Sequence, residues 1–237
     1  MMRLRRVRQR YHTRGRTYLE ELGAEVSGRF SSSEQAKKAL LFLEHTLAIN
    51  DILIAASLLA RDFEDITLAH REHEATLKTK PLRVTYMQRL REGGETAITQ
   101  TLIPDAWLDM YVGDRKKQRY WRFSIWLELD RGTIQARKFI RKARSIIEYL
   151  KSGEYQKRFH SEVALIAFVT TAGQDRVHQI CTWIHEEAER TDDTGIEPLF
   201  FTTAISSPPD PLDFFFSPLW LNPGSDKPTP LFHTQAE

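Results

Sequence analysis

Residues 163–170 read Val-Ala-Leu-Ile-Ala-Phe-Val-Thr, an apolar run with no polar alternation. A run this short and this apolar is the pattern of a strand covered on both faces, as in a parallel sheet. Upstream, Ile134 to Lys151 has a helical period. Ala136, Phe139, Ile140, Ala143, Ile146, Ile147 and Leu150 fall in one arc, and Gly153 ends the helix. Before it, Tyr120 to Leu129 reads as an apolar, aromatic strand. A helix that joins two such strands crosses over right-handed and sets them parallel. Thr101 to Val112 pairs with the second strand as a hairpin through Gly113-Asp114. Gln174 to Arg190 is a further amphipathic helix, and Leu199 to Ala204 is the last strand. The fold class is therefore α/β, a mixed β-sheet flanked by helices on both faces.

A long helix is predicted from Ser33 to Asp62. Residues 66–77 alternate as a strand or a short helix. Residues 78–100, with Pro81 and Gly93-Gly94, read as a variable loop with one strand around Val84. Residues 24–35, with Gly28 and Ser31 to Ser33, read as a linker. Past residue 205 stand seven of the ten prolines, which argues against regular structure. Phe214, Phe215, Phe216, Leu219, Trp220 and Leu221 should still pack residues 211–222 on the body, leaving 223–237 loose. This divides the chain into a basic segment 1–32, an α/β domain 33–205 and a proline-rich extension 206–237.

The single cysteine, Cys181, excludes a disulfide scaffold and a multi-cysteine zinc site, and its place on an apolar helix face predicts a buried, inert thiol. No run of ~18 apolar residues exists, so no transmembrane helix is expected, and the basic N-terminus has no apolar stretch behind it. A cytoplasmic protein without a membrane anchor is expected. The net charge of +2 hides three basic blocks. One is Arg3, Arg5, Arg6, Arg8, Arg10, Arg14 and Arg16, with no acid among them. A second, residues 115–122, includes Lys116 and Lys117. The third is the helix 134–151, whose outward face carries Arg137, Lys138 and Arg141. Such blocks favour DNA, because each phosphate contact releases counterions, although a solvated basic surface has the same composition.

Glu128 and Asp130 lie on the same face of their strand by period two, and Asp105 lies on the paired strand. Three carboxylates at a sheet edge suit Mg²⁺, which can activate water toward a phosphodiester. A strand-end acid can equally be a turn or cap residue, as Asp130 before Gly132-Thr133 would be. Lys142, at the boundary of the basic helix face, could stabilise an oxyanion beside that cluster. His70 and His73, three residues apart, would point to opposite faces of a strand, which disfavours a shared metal. Glu72 between them is a better accessory acid.

Four stretches resemble the plasmid replication-relaxation protein family. Tyr11-His-Thr-Arg-Gly-Arg-Thr-Tyr-Leu is similar to its wing-to-helix segment, and His45-Thr-Leu-Ala-Ile-Asn50-Asp51 to its long helix. Ile103-Pro104-Asp105-Ala106 resembles its Pro-Asp strand. Leu127-Glu128-Leu129-Asp130-Arg131-Gly132-Thr133, followed by Lys142 and Tyr149, resembles its acidic element. The resemblance covers roughly residues 10–205. It implies a winged-helix remnant over residues 1–32, with the chain starting at about the wing. It implies a restriction-endonuclease-like sheet of the PD-(D/E)xK type beyond, with Asp105 and Glu128 in the acidic positions. The lysine expected two residues after the glutamate is Asp130 here, and Lys142 would supply its charge. The function implied is a DNA-binding accessory protein of plasmid replication or mobilisation, with DNA and a relaxase or replication protein as partners. The alternatives are a Mg²⁺-dependent endonuclease or nickase using Asp105, Glu128, Asp130 and Lys142, and a degenerate nuclease-like domain that only binds proteins.

Overall fold

The computed structural model describes residues 33–89, 93–114 and 119–232. In chain order the elements are α1 (Ser33–Asp62), β1 (Ile66–His73), α2 (Glu74–Thr79), β2 (Leu82–Arg89) and β3 (Glu95–Leu102). Then come β4 (Ala106–Asp114), β5 (Arg119–Asp130), α3 (Ala136–Lys151), α4 (Glu154–Phe159) and β6 (Leu165–Thr170). The chain ends with α5 (Gln174–Thr191), a 3-10 turn (Thr194–Leu199), β7 (Phe200–Ala204) and α6 (Pro211–Phe216). Residues 1–43 and 44–237 gather as two separate units. The second holds every strand among the described residues, and α1 belongs to it from Glu44 onward.

A five-stranded sheet runs in the order β1-β4-β5-β6-β7. β1, β4 and β5 pair antiparallel, while β5, β6 and β7 pair parallel. The two crossovers, through α3 and α5, are what the apolar strands at 120–129 and 163–170 require. All six residues of β6 are buried.

Strand alternation divides the interior into two cores. Leu108, Met110, Leu127, Leu129, Ala167 and Val169 face Ile52, Leu53, Ala56 and Leu59 of α1. Trp107, Trp126, Ile166 and Phe168 face Phe139, Ala143 and Ile146 of α3 and Ile180 and Ile184 of α5. By length and composition alone, residues 41–62 of α1 would be long and apolar enough to cross a membrane. Glu44, His45, Asn50 and Asp51 interrupt that run, so it does not stand out in the sequence as continuously apolar. One face of the helix is bound into the core of the sheet.

Four sequence expectations are corrected, the last in how far the C-terminal packing extends. Within 78–100 the strand expected around Val84 is β2, but it is paired with a second strand, β3, antiparallel and in register from Leu82↔Leu102 to Arg89↔Glu95. Leu82, Val84 and Tyr86 alternate inward onto the α3 core, a period-two signal masked by the polar residues between them. Gly93 and Gly94, just before β3, both take positive φ, which glycine adopts without strain. The strand expected over 101–112 is split, because Ile103-Pro104-Asp105 interrupts it: Thr101 and Leu102 end β3 of the two-stranded sheet, and Ala106 begins β4 of the five-stranded one. Finally, the proline-rich end does contain a helix. Pro211 occupies the first turn of α6, where its missing N–H costs nothing, and Asp210 caps it by accepting from Leu212 N and Asp213 N.

Phe214, Phe215, Trp220, Leu231 and Phe232 are all buried in the α1-side core, so packing continues past residue 222 to 232. Trp220 is fully buried and donates its indole N–H to Phe214 O at 2.7 Å. Trp220→Ala is expected to cost about 3–5 kcal/mol in denaturant unfolding, the range for truncating a buried aromatic. A cost under about 0.5 kcal/mol, typical of a surface site, would show that this end does not belong to the core.

Candidate functional site: a neutralised acidic centre

The carboxyl end of β5 alternates Glu128, Leu129 and Asp130, and period two sends both acids to the α3–α5 side. Both are buried, each 2 % exposed. A buried carboxylate is tolerated only with compensating donors. The Glu128 Oε1 accepts from the Trp126 indole N–H at 2.7 Å, and its Oε2 is ion-paired with Lys142 Nζ of α3. Burial pushes the Glu128 carboxyl up to about 7, against the pull of Lys142. Burial also works against the Lys142 ammonium, but Glu128 and Asp105 outweigh it and hold Lys142 above the ordinary lysine value.

Asp105 stands in the break before β4. Its backbone N–H donates to Leu127 O at 3.1 Å, and its Oδ2 accepts from Leu129 N at 2.7 Å. Its Oδ1 lies 3.1 Å from His45 Nε2 of α1. Burial opposes its charge, but His45 and Lys142 hold it below the usual carboxylate range. In return, the hydrogen bond to Asp105 raises His45 above the usual histidine value despite partial burial.

Asp130 belongs to a second pair. Arg176, at the start of α5, grips it with Nε on Oδ2 at 2.8 Å and Nη2 on Oδ1 at 3.0 Å. Thr170 Oγ1 and Gly132 N also donate to Oδ2, at 3.2 and 2.9 Å. The guanidinium continues to Ile134 O at 2.8 Å and lies 4.7 Å from the Trp183 ring centroid. Gly132 turns at φ 72°, where a Cβ would approach Ala172 Cβ to 2.7 Å, so glycine is required for the turn that closes on Asp130.

The structure thus brings Asp105, Glu128 and Lys142 together and directs Asp130 to Arg176. Each carboxylate oxygen of the three acids already accepts from the chain itself. Mg²⁺ prefers near-octahedral oxygen ligands. It would have to displace Lys142 and His45 to reach Asp105 and Glu128, so the donor set as arranged does not fit that ion. Among the described residues, no group of three or more His, Cys, Asp or Glu is placed to hold a metal. Glu72, read as an accessory acid, pairs with Arg158 at 2.8 Å, and His70 sits 3.6 Å from it on the same strand. Cys181 is buried, and burial pushes its thiol up to about 11, as expected for an inert group.

Nothing in the local pattern marks Trp126 or Arg176 for this site, and His45 is marked only by the family-like stretch at 45–51. Of the basic residues, Arg137, Lys138 and Arg141 are exposed on α3 and form no ion pair among the described residues. Arg144, one turn on, is taken by Glu148 and Asp193. Arg3, Arg5, Arg6, Arg8, Arg10, Arg14 and Arg16, with Lys116 and Lys117, lie outside the described residues, as does the expected winged-helix remnant.

Fold and site define a mixed α/β protein with an internally neutralised acidic centre and an exposed basic helix face. The chain belongs to the replication-relaxation family, whose model matches residues 2–162, which points to a role in plasmid replication or mobilisation. No curated protein and no solved structure matches the chain.

Glu128 and His45 bind their protons more tightly in the folded chain than their ordinary values allow. Between about 4.5 and 7 the folded chain keeps a proton on Glu128 that the unfolded chain releases. A raised folded value stabilises below the unfolded value, and that stability is lost as pH rises through the folded one. His45 adds in the same direction above 6.5, as does His185, held up by its hydrogen bond to Glu197. The melting temperature, followed by circular dichroism, is therefore expected to fall from about pH 5 to 8. The slope should be shallower in His45→Gln/Glu128→Gln. A wild-type melting temperature that climbs across this window contradicts the assignment.

Proposed function

We propose that this protein is a DNA-binding accessory factor of plasmid replication or mobilisation. It acts in the cytoplasm on DNA, beside a relaxase or replication protein. One contrast carries the reading. The acids at the end of β5 are each neutralised inside the chain, while Arg137, Lys138 and Arg141 stand exposed and unpaired among the described residues. Uncompensated surface cations gain most from phosphate contact, through counterion release. Family membership and the arginine-rich residues 1–16 support the same partner.

The order of β4, β5, α3 and β6 also supports a nuclease-like ancestry. In this reading Asp105, Glu128 and Lys142 serve as a structural centre and not as a phosphodiesterase site. Two measurements test it. Fluorescence anisotropy on a plasmid fragment with a single-stranded tail should show steeply salt-dependent binding. Arg137→Glu/Lys138→Glu/Arg141→Glu should flatten the log–log salt slope by about 2 to 3, at roughly 0.9 per duplex phosphate contact and 0.7 on a single strand. Binding insensitive to salt would favour a domain that only contacts proteins. Supercoiled plasmid incubated with Mg²⁺ should be nicked equally, at background level, by wild type and Glu128→Ala. Nicking by wild type alone would make the centre an endonuclease site.

A further inference from the structure

A groove of about 840 Å³ runs along α3 between the β2–β3 hairpin and α5. Its floor is Arg137, Ile140, Arg141 and Arg144. At 3.6 residues per turn these positions lie on the opposite side of α3 from Lys142, so the groove is separate from the acidic centre. Arg144 is held by Glu148 and Asp193, and Arg190 of α5 by both oxygens of Glu187 at 2.6 and 2.8 Å. That leaves Arg137 and Arg141, one helical turn apart, with no partner among the described residues. The hairpin wall adds the amides of Gln88 and Gln100 and the half-buried side chain of Ile98, all on the face that carries Tyr86.

This composition fits one kind of anion. Two planar guanidinium forks on successive turns suit neighbouring phosphates of one backbone. Gln88 and Gln100 offer both donors and acceptors, as base edges require. Half-buried Ile98 and Ile140 give apolar surface on which an unpaired base can lie. A duplex keeps its bases stacked inside and has a major groove of about 12 Å. The volume here is that of a small-ligand pocket, which admits a few unpaired nucleotides and not a paired helix.

We propose that this groove holds a short stretch of single-stranded nucleic acid, with phosphates on Arg137 and Arg141 and bases against Ile98 and Ile140. The proposal rests on the DNA-binding reading above and goes beyond it by assigning the strand state and its seat. Labelled oligo-dT of 12 nucleotides and a 12-base-pair duplex serve as probes for the full chain. Arg137→Glu/Arg141→Glu should weaken single-strand binding tenfold or more and duplex binding less than threefold. Glu95→Lys places a cation where the groove has an exposed acid, and it should tighten single-strand binding a few-fold. Both residues of the first variant and Glu95 are exposed, and matching melting temperatures confirm intact folding. Equal loss for the two probes would make α3 a general basic surface and overturn the proposal, as would no loss for either. Displacement of the oligonucleotide by poly-glutamate at lower charge concentration would reassign the groove to an acidic peptide. Wild type that binds neither probe would overturn the DNA-binding reading itself, a result distinct from loss of the strand preference alone.

Discussion

Three carboxylates crowd the place where β4 begins and β5 ends, and the neutralisation of their charge governs how the layers above and below the sheet are arranged. Moving an unpaired carboxylate out of water costs several kcal/mol even after the protein relaxes. Glu128 and Asp130 both point into the layer of α3 and α5, so each of those helices must deliver a cation: Lys142 from the second turn of α3 and Arg176 from the first turn of α5. Asp105 turns instead toward α1 and receives His45. The ion pairs therefore tie the end of β5 to α3 and α5 on one face and the start of β4 to α1 on the other. They also pin the register. A one-residue slip of β5 would bury Leu129 among the cations and send both acids into the apolar α1 core.

That arrangement explains which parts of the molecule the sequence reveals. β6 and the helices at 136–151 and 174–191 are legible because burial on both faces, or on one, leaves a local period. The parallel pairing follows from the chirality of the crossover. The β2–β3 hairpin is harder to see. Only one of its faces is buried, its outward residues are polar, and Pro81 and Gly93-Gly94 imitate a loop. In the C-terminal stretch, proline content argues against a helix, yet Asp210-Pro211 is a helix start, because proline is harmful only beyond the first turn. Asp105, Glu128 and Lys142 can be found through the family-like motifs that contain them. Arg176 cannot: it meets Asp130 across 46 residues of chain, and nothing local in Gln-Asp-Arg-Val distinguishes it from a solvated arginine. Pairings set by topology are visible only once the topology is.

The same pairing logic separates interior from surface charge. Within the body, Glu128 with Lys142, Asp130 with Arg176, Asp109 with Arg122 and Glu72 with Arg158 cancel in place. Removing one member of such a pair leaves a buried charge and costs about 3–5 kcal/mol, so these residues are constrained by stability whatever else the protein does. A metal centre would need the opposite: carboxylate oxygens held free by surroundings that do not supply cations. Here the cations are built into the helices that cover the sheet. Converting the centre would mean relocating Lys142 and His45, not merely opening a lid. Arg137, Lys138 and Arg141 carry no such burden, since nothing buried depends on them. Their charged groups are exposed, with Arg137 and Arg141 turned away from Lys142 around the helix and Lys138 one turn before it. A basic residue whose charge the fold does not use is available to an external anion, and α3 holds both kinds within a single helical turn.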